Sequence, residues 1–391
     1  MSAGTRAGSR SLAKRAPYEY PGTRVAVTGA TGFIGAHVVR LLAERGAEVR
    51  VTHRDPARLE RLGDAAVTPV EADVLDRAAL RRAFRGARLV FHGAGVVATR
   101  PAEMVWKVNA LAPRLAVEAA AAEGAERVVI TSSVGGVGPA THGRAGREDD
   151  VYRGGGLGMT YVDSKHEGES EALAAGARCG IDVVVVNPAY VLGVPVDRAQ
   201  PGETSTRIVG NYIRGRVPAI VDGATNIVHV DDVAEGHLLA AERGEPGERY
   251  ILGGENIRWV DLIELVAEMS GVHHPVVVIP RDVAEMIAAA GTISGGVIIS
   301  PEAFALMAQD WRYSSEKAKR VLGYRPRGLK PTLRETVEWY DELLRTGLLS
   351  GGRPSPMSLG SLGVRLAARV GGLRVAHALE SWTGRRLVAA G

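Results

Sequence analysis

The sequence predicts an α/β protein, a doubly wound parallel sheet with a smaller C-terminal lobe. From Arg24 onward, short β-branched runs alternate with helix-like segments, which argues a parallel sheet covered on both faces. A glycine-rich turn joins the first of these runs to the first helix. After Asn187 the texture changes, with longer loops and shorter strand-like pieces. At 391 residues, 46% hydrophobic and 24% charged, the chain is long enough for a large core and an elaboration.

The elements follow in order. Val25–Val27 reads as the first strand, Ile34–Arg45 as a helix stopped by Gly46, and Glu48–Thr52 as the second strand. Ala66–Val70, Leu89–Phe91, Arg127–Thr131 and Val183–Val186 are further buried strands. In the lobe, Gly223–Val230 and Arg249–Leu252 read as short strands, and Val260–Ser270, Ala303–Asp310 and Leu333–Leu344 as helices. Val283–Ile299 is apolar, but Gly291, Gly295 and Gly296 interrupt it and it is too short to span a bilayer, so it reads as lobe packing. The implied division is a basic tail at 1–21, a dinucleotide-binding domain at 22–190, a lobe at 191–345 that partly returns to the sheet, and a basic extension at 346–391.

Composition removes several classes of function. One cysteine, Cys179, excludes a disulfide scaffold and any multi-cysteine metal site. No uncharged apolar run reaches 18 residues. The net charge of +4 and pI of about 9.2 suggest a nucleic-acid binder. That charge, however, sits at the ends: residues 1–20 carry +3, residues 351–391 carry +5, and the middle is −4. A nucleic-acid partner is therefore not expected. The first twenty residues lack an apolar segment after their arginines, so they read as a tail, not a secretory signal, and a cytoplasmic protein is expected.

Thr28-Gly29-Ala30-Thr31-Gly32-Phe33-Ile34-Gly35 lies directly between strand and helix. In that context Gly29 permits a tight turn, Gly32 lets backbone approach a pyrophosphate, and Gly35 lets helix pack close to strand. The helix start then offers free N–H groups to phosphate. This is a Rossmann arrangement for a nicotinamide dinucleotide. The second strand ends Thr52-His53-Arg54-Asp55-Pro56. Thr52 and His53 are not acidic and Arg54 can pair with a 2′-phosphate, so NADP is expected over NAD. Asp55, followed by Pro56, reads as a turn residue.

Tyr161 and Lys165 stand four apart in a helix-like stretch, Tyr161–Leu173, and so share a face. A phenol is a poor acid–base group at neutral pH unless a fixed cation lowers its pKa, and Lys165 could supply that cation. Thr131-Ser132-Ser133 ends a strand at the carboxyl edge of the sheet, where a hydroxyl could bond a substrate oxygen shared with Tyr161.

These motifs, with Asp73-Val74, His92-Gly93-Ala94-Gly95, Asn109 and Asn187-Pro188, occur in the order of the extended short-chain dehydrogenase/reductases, the NAD-dependent epimerase/dehydratase superfamily, which the chain resembles from about Arg24 to Leu344. The resemblance implies that Gly29, Gly32, Phe33 and Ile34 line the pyrophosphate, that Thr31 and Gly35 also belong to the cofactor site, and that Asp73 and Val74 flank the adenine. It puts Ala94 by the ribose, Asn187 and Pro188 at the cofactor, and Asn109 near the active-site helix as a further cofactor residue. Tyr161 would be the acid–base, Lys165 would hold the nicotinamide ribose, and Ser133 would polarise the reacting carbonyl.

Two branches compete. Val49–Pro56 and Asn187–Gly193 look like the dihydroflavonol-reductase and hydroxysteroid-dehydrogenase branch, whereas Asn226–Gly236 and Gly247–Asn256 resemble hopanoid-associated sugar epimerases. Nucleotide-sugar enzymes of the superfamily usually carry an arginine four residues before the position of His229; here it is Thr225, although Arg207, Arg214 or Arg216 could substitute. The expected activity is NADP(H)-dependent interconversion of a carbonyl and a secondary alcohol on a fairly hydrophobic small molecule. The alternatives are a sugar or nucleotide-sugar epimerase/dehydratase, or a non-catalytic dinucleotide binder. His229, Asp231 and Asp232 read as a lobe-joining turn at a helix start, with no metal expected.

Ser361–Leu387 sets leucines and a valine among five arginines, with Gly371-Gly372 as a break. This basic amphipathic pattern suggests either packing on the lobe or peripheral contact with a membrane. A homodimer stays open.

Overall fold

The computed structural model describes residues 19–98, 100–141, 143–200, 205–290, 306–349, 356–368 and 372–390. Its main sheet takes β1 (Arg24–Thr28), β2 (Glu48–His53), β3 (Val67–Glu71), β4 (Leu89–His92), β5 (Arg127–Thr131) and β6 (Asp182–Pro188). Past β7 (Tyr190–Leu192), β8 (Ala219–Val221) and β9 (Ala224–His229), the chain returns to this sheet as β10 (Arg249–Leu252). The order is β10-β6-β5-β4-β1-β2-β3, with all pairings parallel. The order reverses between β1 and β4, the point where such sheets open a crevice at their carboxyl ends.

The β-branched strands explain the layering. Val25 and Val27 point into one buried core with Val38, Val39 and Leu42 of the first helix, Phe33–Glu44. Ala26 points into the other, with Leu80, Phe84, Val128 and Ala172. Both faces are therefore covered, which is why these strands read as continuous apolar runs. The expected strands and helices of this half are present with ends shifted by one or two residues, except that the helix carrying Tyr161 runs further, Thr160–Cys179.

The lobe is built on two small sheets. One is β11 (Glu255–Arg258), β9 and β7; the other is β13 (Val388–Ala389), β12 (Val276–Ile279) and β8. Its core gathers Tyr212, Trp259, Val260, Ile263, Trp339 and Tyr340. Of the helix expected at Ala303–Asp310, residues 303–305 lie outside the described residues. Only Leu306 and Met307 are helical, and Asp310 instead bridges to Ala224 of β9. Within the apolar stretch Val283–Ile299, residues up to Ala290 belong to a helix, Arg281–Ala290, and the rest lies outside the described residues. No described helix is long and apolar enough to cross a membrane.

Two histidines are buried in the layer of strand ends. His92 bonds through Nδ1 to the Thr28 hydroxyl at 2.9 Å, and His237 through Nε2 to the Thr131 hydroxyl at 2.9 Å, with its Nδ1 donating to Val233 O at 2.7 Å. Burial lowers their pKa values to about 3 and about 4, with the Lys165 charge adding to the effect on His92. Both stay neutral in the folded protein at pH values where an unfolded chain would protonate them. Folding stability therefore falls as pH drops from about 6.5 toward 4, by about 1.4 kcal/mol per pH unit for each histidine. Urea unfolding at pH 7 and pH 5 should show the lower midpoint at pH 5, with a shallower pH dependence in His237→Gln.

Candidate functional site

The glycine turn is held by contacts that admit no side chain. Gly29 has φ +68°, and a Cβ there would lie 2.4 Å from the Gly93 carbonyl carbon; one at Gly35 would lie 2.1 Å from Gly29 O. β1 and the loop after β4 thus touch through bare backbone. Gly32 begins the helix with no side-chain cap and no acid in the first turn. Its leading N–H groups are left for an anion, which fits the pyrophosphate of a dinucleotide.

From this turn a cavity of about 540 Å³ runs along the strand ends into the lobe. Gly29, Gly32, Phe33, Ile34 and Gly35 line its first part; Ser133, Tyr161, Lys165 and Pro188 line its middle. Tyr190, Thr225, Trp259, Leu306, Met307 and Trp311 close the lobe end. Among the described residues Lys165 is the only lysine or arginine in the lining.

Ser133 caps the short turn Val134–Val137, its Oγ accepting the Gly135 N–H at 3.1 Å. Burial raises the Tyr161 pKa, and a hydrogen bond with Ser133 pulls it back. The Lys165 ammonium donates to Thr131 O at 3.2 Å and is itself lowered to about 8 by burial, with the Glu169 charge opposing. Lysine is turned toward the end of β5, and the lowering group is the serine.

Four candidate cofactor residues make contacts within the protein or line a neighbouring cleft. Asn109 does not face the cavity: its Nδ2 donates to Val96 O (2.9 Å) and Ser164 Oγ (3.1 Å), and its Oδ1 accepts Val96 N–H (2.8 Å). It fastens the loop after β4 to the Tyr161 helix, from a π-helical turn at Lys107–Leu111. Asn187 likewise turns inward, its Nδ2 donating to Ser133 O (2.8 Å) and Glu169 Oε1 (2.5 Å). Thr31 faces a small cleft beside Arg61 and Pro195. Val74 packs against the core beneath the second face of the sheet.

Arg54 is exposed at the tip of β2, 3.9 Å from the Asp73 carboxylate. Asp55 accepts the Ala57 N–H at 3.0 Å and caps the turn Pro56–Leu62, as a turn residue would. Ala94 N–H points to the Thr28 hydroxyl at 3.4 Å. His229 caps the helix Val230–Arg243 through Asp231 N–H and contacts Glu335 at 3.0 Å. Asp231 is held below the usual carboxylate range by His37, at 2.6 Å, and Arg40, at 2.9 Å. This network ties the glycine-turn helix to the lobe, and no metal-type cluster occurs among the described residues.

One organising residue was missed in the sequence. Glu169 is buried on the Tyr161 helix, one turn beyond Lys165. It accepts from Ser132 Oγ (2.5 Å), Asn187 Nδ2 (2.5 Å) and Arg249 Nη1 (3.0 Å). The i+4 spacing from Lys165 was a usable signal. The Arg249 partnership, 80 residues away, was not.

A family model described as the NAD dependent epimerase/dehydratase family matches residues 25–253. A putative dihydroflavonol 4-reductase of Synechocystis sp. is 33% identical over 329 residues, covering 80% of this chain and 93% of that protein. Sterol demethylase protein B of Methylococcus capsulatus is 30% identical over 337 residues, covering 81% and 98%. The solved structure of PA4631, a nucleoside-diphosphate-sugar epimerase from Pseudomonas aeruginosa, superposes with TM-score 0.69 at 26% identity, covering 83% of this chain and 99% of that one.

Replacing Glu169 by glutamine tests its place in the site. The anion that favours the Lys165 ammonium would be gone, so the lysine midpoint should move below about 8. Arg249 would lose its carboxylate, at a cost of about 3 kcal/mol. Lysine titration by NMR and denaturant unfolding read the two effects separately.

Proposed function

The chain belongs to the NAD dependent epimerase/dehydratase family, and on that footing we propose that it is an NADPH-dependent reductase of a carbonyl on a fairly hydrophobic small molecule. The observation that carries this reading is the lining of the cavity. Its lobe end is walled by Tyr190, Trp259, Leu306, Met307 and Trp311, and Thr225 stands where nucleotide-sugar enzymes would hold a diphosphate-clamping arginine. A diphosphate placed there would lose that charge-assisted fork, whereas an apolar skeleton would gain by burial. The reductase name of the Synechocystis relative supports the same branch.

In this reading the glycine turn and the helix start at Gly32 hold the pyrophosphate, and Lys165 reaches the nicotinamide ribose. Arg54 takes the 2′-phosphate, for which its exposed position at the end of β2 and its loose pairing with Asp73 leave it available. When bound, the reduced nicotinamide supplies the hydride. Tyr161, kept protonated by its raised pKa, donates its proton to the substrate oxygen. Ser133 donates its hydroxyl hydrogen to the same oxygen as negative charge develops. The cavity wall excludes water from the reacting atoms.

Incubation with NADPH and a panel of ketones, aldehydes and nucleotide sugars tests the reading; isomerised sugar without net oxidation of NADPH would replace it with the epimerase alternative. Tyr161→Phe should lower kcat by about a thousandfold or more while leaving cofactor binding nearly intact. Unchanged turnover would remove Tyr161 from the mechanism. Arg54→Ala should weaken NADPH by about tenfold and leave NADH nearly unaffected, by titration of cofactor fluorescence.

A further inference from the structure

The described part of the basic extension is a built piece of the lobe. β13 pairs antiparallel with β12, Arg385 reaches Asp282 at 3.3 Å, and Arg386 pairs with Glu264. Glu380 Oε1 accepts the N–H groups of Leu387 (2.7 Å) and Val388 (2.9 Å), fixing the path from helix to strand.

That attachment leaves apolar side chains outside. Leu362 and Leu366, one turn apart on the helix Pro356–Ala367, are about half exposed. On the helix Leu373–Thr383, Leu379 and Trp382 share a face, and Trp382 is 84% exposed. The Arg385–Asp282 pair joins the end of this helix to the helix Arg281–Ala290. Met286, one turn beyond Asp282, is 64% exposed. Trp382 and Met286 thus lie three and four residues from the two partners of one surface ion pair, and large apolar side chains left exposed on a surface mark a binding face.

Charge selects the occupant. The extension holds Arg353, Arg365, Arg369, Arg374, Arg385 and Arg386 against Glu380. Among the described residues, Arg385 and Arg386 pair with acids of the lobe. A second copy would set like charge against like. An anionic bilayer satisfies both halves of the pattern, since tryptophan favours the headgroup boundary and arginine the anionic headgroups. The face also backs onto the cavity. Ala284 of the helix Arg281–Ala290 packs with Val221 and Ala308 beside Met307, and Met307 lines the cavity's lobe end.

We propose that the C-terminal extension seats the protein on an anionic lipid surface, with Trp382, Leu379 and Met286 entering the boundary layer. Lipophilic molecules dissolved in that layer are then held next to the apolar end of the cavity. The seating does not depend on the redox chemistry and is tested without it.

The full chain is sedimented with vesicles of phosphatidylcholine alone or mixed with phosphatidylglycerol, at low and high salt. Binding at least about tenfold stronger to the anionic vesicles, weakened by salt, is expected. Leu379→Ser/Trp382→Ser should cut it by about tenfold or more with the melting temperature unchanged. Should that double variant fold poorly, brominated lipid provides a second reading: it should quench the wild-type tryptophan fluorescence, and Trp382→Phe should abolish the quenching. Equal sedimentation with neutral and anionic vesicles, or no quenching, overturns the proposal. So does a wild-type dimer that the double variant converts to monomer, which would assign the face to a second copy, or binding to an acidic protein in place of vesicles.

Discussion

The buried carboxylate of Glu169 is the interaction on which the arrangement of the site depends. Three strands of the main sheet each send it a donor: Ser132 from just past the end of β5, Asn187 from β6 and Arg249 from the start of β10. The same helix carries Tyr161 and Lys165. One anion therefore fixes the strand end that bears Ser133 relative to the helix that bears Tyr161 and Lys165. It also opposes the loss of charge on Lys165 that burial would otherwise cause. A buried carboxylate is stable only when its lone pairs are filled, and filling them aligns the site.

The opposite wall is set by the absence of side chains. Backbone meets backbone where Gly29 abuts Gly93 and where Gly35 abuts Gly29. Asn109 then uses its whole amide to hold Val96 and Ser164, which ties the loop after β4 to the Tyr161 helix. The crevice is thus framed by a rigid glycine corner and a hydrogen-bonded helix. Between them lie, among the described residues, the hydroxyls of Ser133 and Tyr161 and the ammonium of Lys165.

The lobe contributes shape and polarity. Its short strands bring Tyr190, Thr225, Trp259 and Trp311 over the strand ends, and β10 returns to lock the lobe to the sheet. The charge imbalance of the chain follows the same division. The basic character belongs to the appendages, and the body between them is acidic at −4. Two arginines of the C-terminal appendage clamp it to Asp282 and Glu264.

The sequence alone determined the sheet and the corner. Strand and helix periodicities are local, and the glycines of Thr28–Gly35 are demanded by backbone geometry within one turn, so both were legible before any contact was known. The Tyr161–Lys165 spacing was legible for the same reason, because four residues on a helix fix a shared face. Only the tertiary structure decided what those groups do to each other. Lys165 turned to Thr131 O, Ser133 became the partner of Tyr161, and Asn109 and Asn187 spent their amides inside the protein. These outcomes depend on pairings between residues as far apart as Glu169 and Arg249. A hydrogen bond is chosen by which partner lies within about 3 Å, and that distance is set by how the strands and helices pack.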